Sequence, residues 1–122
     1  MGSPGTPKPI DAEIKGLEAS YSFPRGRDRG RIVSLLRSNN RAITILKEAA
    51  GVLRSLFGGG AELCLELDRD PETGFEEIFA TVRTAHSPEA GLSILERFDE
   101  EWWLGHLEGL AGKLNFDWEP AA

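Results

Sequence analysis

Two stretches of strict alternation, separated by a single turn, constrain this chain more than anything else in it. In residues 61–68 (AELCLELD), Leu63, Leu65 and Leu67 alternate with Glu62, Cys64, Glu66 and Asp68. Side chains of a strand point by turns to opposite faces, so the pattern predicts a half-buried strand. Residues 76–85 (EEIFATVRTA) repeat it, with Ile78, Ala80 and Val82 facing inward. Between them lies Asp70-Pro71-Glu72-Thr73-Gly74. There proline sets φ and glycine accepts a positive φ, so the two strands form an antiparallel hairpin.

Helical periodicity flanks the hairpin. From residue 41 to 57, Ile45, Leu46, Ala49, Leu53, Leu56 and Phe57 recur at three- and four-residue steps. Asn40 is placed to cap this helix, and Gly58 to end it. Ser87-Pro88-Glu89 opens a second helix with a hydroxyl cap, a proline in the first turn and an acid at the positive end. Leu92, Leu95, Phe98 and Trp102 carry its period to about residue 104. Three glycines in residues 105–112 make a return loop. The last strand, residues 113–119, alternates Leu114, Phe116 and Trp118 with Asn115, Asp117 and Glu119. The expected fold is therefore α+β: a small three-stranded, mainly antiparallel sheet in the order helix-strand-strand-helix-strand, with helices on one face.

Residues 1–40 read as a flexible or partly helical basic extension to the domain at 41–122. Residues 1–10 hold three prolines and two glycines and read as a mobile tail. Residues 11–22 have the spacing of a short helix capped by Asp11, with Ile14, Leu17 and Tyr21 on one side. Arg25, Arg27, Arg29 and Arg31 lie in a glycine-punctuated basic loop. Residues 31–38 form a second short helix, with a hairpin through Asn39-Asn40 as its alternative.

At 122 residues, 40% of them apolar and 28% charged, the chain is one globular domain. No apolar run approaches the roughly 18 residues of a membrane span, and residues 1–5 offer no signal-peptide core. One cysteine builds neither a disulfide nor a zinc site, which fits the cytoplasm. The net charge of −6 is divided unevenly. Residues 1–55 hold ten Lys and Arg against five acids, a net +5, while residues 56–122 hold four against fifteen, a net −11. Such a chain can fold back on itself, dimerise or hold partners of opposite sign.

Catalytic signatures are missing. His86 and His106 sit beside helix ends, Cys64 has no histidine at a motif-like spacing, and neither G-x-S-x-G nor H-E-x-x-H occurs. Gly112-Lys113 runs into Leu114 where a phosphate loop needs Ser or Thr, and Gly58-Gly59-Gly60 precedes a strand instead of a helix. Glu62, Glu66, Asp68 and Glu77, with Asp117 and Glu119, share the polar sheet face. A metal-dependent enzyme would use them, but alternating acids on an open face are ordinarily its solvated side. The expectation is no enzyme, no cofactor and no metal.

Asp99-Glu100-Glu101-Trp102-Trp103 is less routine. Adjacent helical residues diverge by about 100°, so the two cannot both lie at the centre of one stripe: either both cover the sheet, or Trp102 joins the core and Trp103 sits at its edge. Trp103, ringed by Asp99, Glu100 and Glu101, then becomes an anchor for a basic partner surface. Arg25, Arg27, Arg29 and Arg31, near Tyr21 and Phe23, are the nucleic-acid-binding alternative.

From residue 44 onward the chain resembles a family of small uncharacterised bacterial proteins. The likeness rests on residues 97–103 (RFDEEWW), the Ser87-Pro88-Glu89 helix start and the Gly112-Lys113-Leu114 strand opening. The resemblance implies a toxin–antitoxin-like gene pair whose neighbour looks like a small helical ribonuclease-type protein. This chain would then be antitoxin-like, binding the product of an adjacent gene, with homodimerisation a further expectation.

Overall fold

The computed structural model describes residues 9–121, so the tail expected over residues 1–10 lies, as far as residue 8, outside the described residues. Helices α1 (Pro9–Leu17), α2 (Arg27–Arg37) and α3 (Asn40–Phe57) precede strands β1 (Glu62–Arg69) and β2 (Glu76–Thr84). Helix α4 (Pro88–Glu101), a 3-10 turn (Trp103–His106) and strand β3 (Leu114–Pro120) follow. The fold is α+β, with a three-stranded sheet in the order β1-β2-β3. β1 and β2 pair antiparallel, whereas β2 and β3 pair parallel. The reason is connectivity: α4 carries the chain back to the end where β2 began, and a strand entered from there runs beside β2 in the same direction.

The register aligns the inward residues in three rows: Leu63, Val82 and Trp118; Leu65, Ala80 and Phe116; Leu67, Ile78 and Leu114. Upon these rows α3 lays Ile43, Leu46, Ala50 and Leu53, all buried. Asn39, one residue before the expected cap, accepts the Ala42 amide at 3.2 Å and starts α3. Gly58, at φ 109°, ends it. Ser87 caps α4 by accepting the Ala90 amide at 3.2 Å. Where α4 crosses β3, Gly91 faces Trp118 so closely that a Cβ there would stand well short of van der Waals distance from the indole ring.

The extension expected over residues 1–40 is corrected for its described part. Ile14, Leu17, Ile32 and Leu36 are buried in the same core as the sheet. Burying a side chain of this kind stabilises by about 2 kcal/mol, so α1 and α2 are packed elements of the domain. Tyr21 is buried after α1, in the turn beyond Leu17, and its hydroxyl donates to the Leu46 carbonyl at 2.7 Å. The basic loop is likewise corrected, since α2 begins at Arg27. No hairpin forms at Asn39-Asn40, which instead joins α2 to α3. Among the described residues, no helix is long and apolar enough to cross a membrane.

Candidate functional site

The outward residues of the sheet form three rows and a pair: Glu62, Arg83 and Glu119; Cys64, Thr81 and Asp117; Glu66, Phe79 and Asn115; Asp68 and Glu77. Six carboxylates therefore share this face with one arginine. Arg83 pairs with Glu119, with Glu66 at 3.1 Å and with Glu62 at 3.9 Å. Asp68 and Glu77 stand directly opposite each other with no cation between them. Burial, together with Asp68, pushes the Glu77 carboxyl upward. In the middle rows Thr81 and Cys64 are buried and Phe79 half-buried. A depression of about 290 Å³ runs from Glu66 and Asp68 over Phe79 and Thr81 to Asp117 and Glu119. Only strand residues line it.

Both edges of the sheet are partly occupied, by different devices. Beside β1, the Ser22 amide donates to Leu63 and its carbonyl accepts from Leu65, both at 2.8 Å. On β3, Ile78 donates to Lys113, which turns the even-numbered β3 amides away from β2. Two of these outward amides, Phe116 and Trp118, donate to the side chains of Asn115 and Asp117 at 2.9 and 2.8 Å. An edge blunted in this way resists added strands. The face is the part of the sheet left for a partner.

The residues expected to bind a partner lie elsewhere, and one of them is corrected. Trp103 is 3% exposed, with its ring 4.8 Å from Phe116 in the core. Trp102 is the half-buried one, stacked on His106 at 4.1 Å and against Phe98 at 5.5 Å. The 100° step that placed Trp103 at the edge fails because α4 stops at Glu101. Trp102, at φ −139°, breaks the period, and the 3-10 turn that follows carries Trp103 inward. Asp99, Glu100 and Glu101 remain at the end of α4, on the helical layer. Glu101 pairs with Arg97 at 3.0 Å, and Asp99 is pushed upward by burial and by Glu100 and Glu96. The sheet separates these acids from those of the open face.

The arginines of residues 25–31 are divided. Arg29 pairs with Glu18 and lies 5.3 Å over the Phe23 ring. Arg31 reaches Glu76 through Nε at 3.1 Å and Nη2 at 2.5 Å, and Glu76 also accepts from Arg69 at 2.7 Å. These two guanidinium groups hold the Glu76 carboxyl down at about 2. Among the described residues, Arg31–Glu76 is the ion pair that crosses between the basic and acidic halves. Arg25 and Arg27 are exposed and join none of the ion pairs.

Two features were not anticipated. Thr84 Oγ1 accepts the Trp118 indole N–H at 2.8 Å and lies 2.7 Å from His86 Nδ1. The Thr84 hydroxyl thereby satisfies the buried indole, and among the described residues no carboxylate is hydrogen-bonded to His86. The second is a groove of about 720 Å³ between the α2–α3 junction, the hairpin end and the loop before β3, with Phe75 78% exposed on its rim. Alternation placed Phe75 in a turn and carried no signal for either. Among the described residues, no three His, Cys, Asp or Glu side chains are grouped to hold a metal ion. No family model, curated protein or solved structure matches this chain.

Proposed function

We propose that this chain is a non-enzymatic, cytoplasmic protein-interaction module, antitoxin-like, that covers a basic surface of a partner protein, such as the active surface of a ribonuclease-type protein encoded by an adjacent gene. One observation carries this: a sheet face with six carboxylates against one arginine, uncovered by any described element, beside edges that are partly occupied. Acids that served only solubility would have no reason to gather on one flat face, where like charges stand opposite and destabilise it. Occluding a basic surface requires no chemistry from this chain. Charge complementarity supplies the encounter rate, and the partly apolar floor at Phe79 and Thr81 supplies contact. The contact residues are then Glu66, Asp68, Glu77 and Phe79, in place of Trp103.

The test is capture of the tagged protein's partner from cells at native expression, with nuclease present, compared with the triple variant E66Q/D68N/E77Q. One stoichiometric protein held by the wild type and lost from the variant is the expected result. Equal capture by both would refute the role of the face. A nucleic-acid contact is the second reading, favoured by the exposure of Arg25 and Arg27 beside Gly26. It predicts recovery that nuclease abolishes and that falls steeply with salt.

A further inference from the structure

We infer that the element received by the open sheet face is a basic amphipathic α-helix lying along the strands. This rests on the interaction role proposed above and names the partner's shape. Three observations lead to it. The first is width: strands sit about 4.8 Å apart, so a three-stranded face spans about 10 Å, the diameter of one helix with its side chains. The second is spacing along the strands. Same-face residues of a strand recur about every 6.7 Å, as Glu66 and Asp68 do on β1 and Asp117 and Glu119 on β3. Residues four apart on a helix recur about every 6 Å, so a Lys or Arg at each turn meets a carboxylate row on either side. The third is the floor. Thr81 is buried and Phe79 half-buried in the 290 Å³ depression, which leaves room for one side chain of the partner in the middle of a rim of carboxylates. A charged rim around one apolar anchor is the layout of an interface core excluded from water.

The same features exclude two other occupants. An extended strand would find Leu63 and Leu65 of β1 already bonded to Ser22, and the Phe116 and Trp118 amides of β3 bonded to Asn115 and Asp117. A second copy of this face would set six carboxylates against six. The charge is also graded along the face. Arg83 pairs with Glu62, Glu66 and Glu119, whereas Asp68, Glu77 and Asp117 join no ion pair among the described residues. The helix therefore places its most basic turns toward the hairpin end.

The experiment titrates the whole protein with two synthetic peptides of identical composition, rich in Ala and Lys with a few Leu. In one, the Leu residues form a single stripe flanked by Lys at every turn; in the other, the same residues are spread evenly around the helix. Binding is read by calorimetry, peptide helicity by circular dichroism, and the site by amide chemical shifts. The striped peptide is expected to bind about tenfold more tightly, gain helicity and shift Cys64, Phe79 and Thr81, and E66Q/D68N/E77Q should abolish this. Equal binding of the two peptides would overturn the helix, as would shifts confined to the acids of α4 or no binding at all. Loss of partner capture in E66Q/D68N/E77Q alongside any of these results would leave the interaction role standing and remove the helix alone. Unchanged capture in that variant would remove the interaction role itself.

Discussion

Glu76 and Glu77 are neighbours in sequence, yet the two faces of one sheet treat them in opposite ways. Glu76 turns toward the helical layer, where Arg31 and Arg69 converge on it and hold its carboxyl at about 2. Glu77 turns to the open face, where burial, and after it Asp68 opposite, pushes its carboxyl upward. One face spends its charges on internal pairing. The other keeps, at Asp68 and Glu77, like charges that cost stability and that no ion pair among the described residues relieves. A residue retained against its own fold's stability points to a use outside the fold.

The comparison is broken most strongly on the inner face. Trp103→Ala removes a fully packed indole from beside Phe116 and should destabilise by about 4 kcal/mol, read as a lowered Tm or denaturant midpoint. A Trp103→Ala variant that keeps wild-type stability would put the indole outside the core. Next, Gly91→Ala drives a methyl into the Trp118 ring, and α4 must lift or the indole must move. The expected cost is about 3 kcal/mol, with loss of the Trp118–Thr84 hydrogen bond visible in the indole N–H resonance.

Smaller effects separate the two glutamates. The Glu76 carboxyl lies below its ordinary value of 4.5, so its contribution to stability is complete above that value and is lost as pH falls toward about 2. Unfolding curves across this window should show a decline that Glu76→Gln flattens. Glu77 has the opposite sign: its raised carboxyl opposes folding while ionised, and the opposition is relieved as pH falls. Glu77→Gln should therefore stabilise at neutral pH by about 0.5 kcal/mol, the size of a relieved cross-strand like-charge pair, while weakening partner capture. A destabilised Glu77→Gln would make this carboxylate a structural group and end the contrast.

Much of the architecture was legible because its causes are local. Alternation around Asp70-Pro71-Glu72-Thr73-Gly74 specified the hairpin, and Ser87-Pro88 specified the start of α4. The acids of the polar face could be listed from alternation alone, since parity decides which side a strand residue takes. The tryptophan pair was not legible. Its assignment assumed an unbroken helix, and a one-residue break after Glu101 exchanges the two rings. Nor were the arginines. Four of them in seven residues read as a free basic patch, yet Arg29 and Arg31 find Glu18 and Glu76 at separations of 11 and 45 residues.

By itself the sequence determined the α+β class, the hairpin, two of the helices, the membership of each sheet face and the expectation that helices cover only one of them. These follow from period, capping and turn residues, which act over a few positions. Tertiary structure alone decided that β3 lies parallel to β2, that α1 and α2 join the core, and that Trp103 is buried and Trp102 only half-buried. Each depends on which distant surfaces meet, and burial and ion pairing between remote residues leave no periodic mark in the chain.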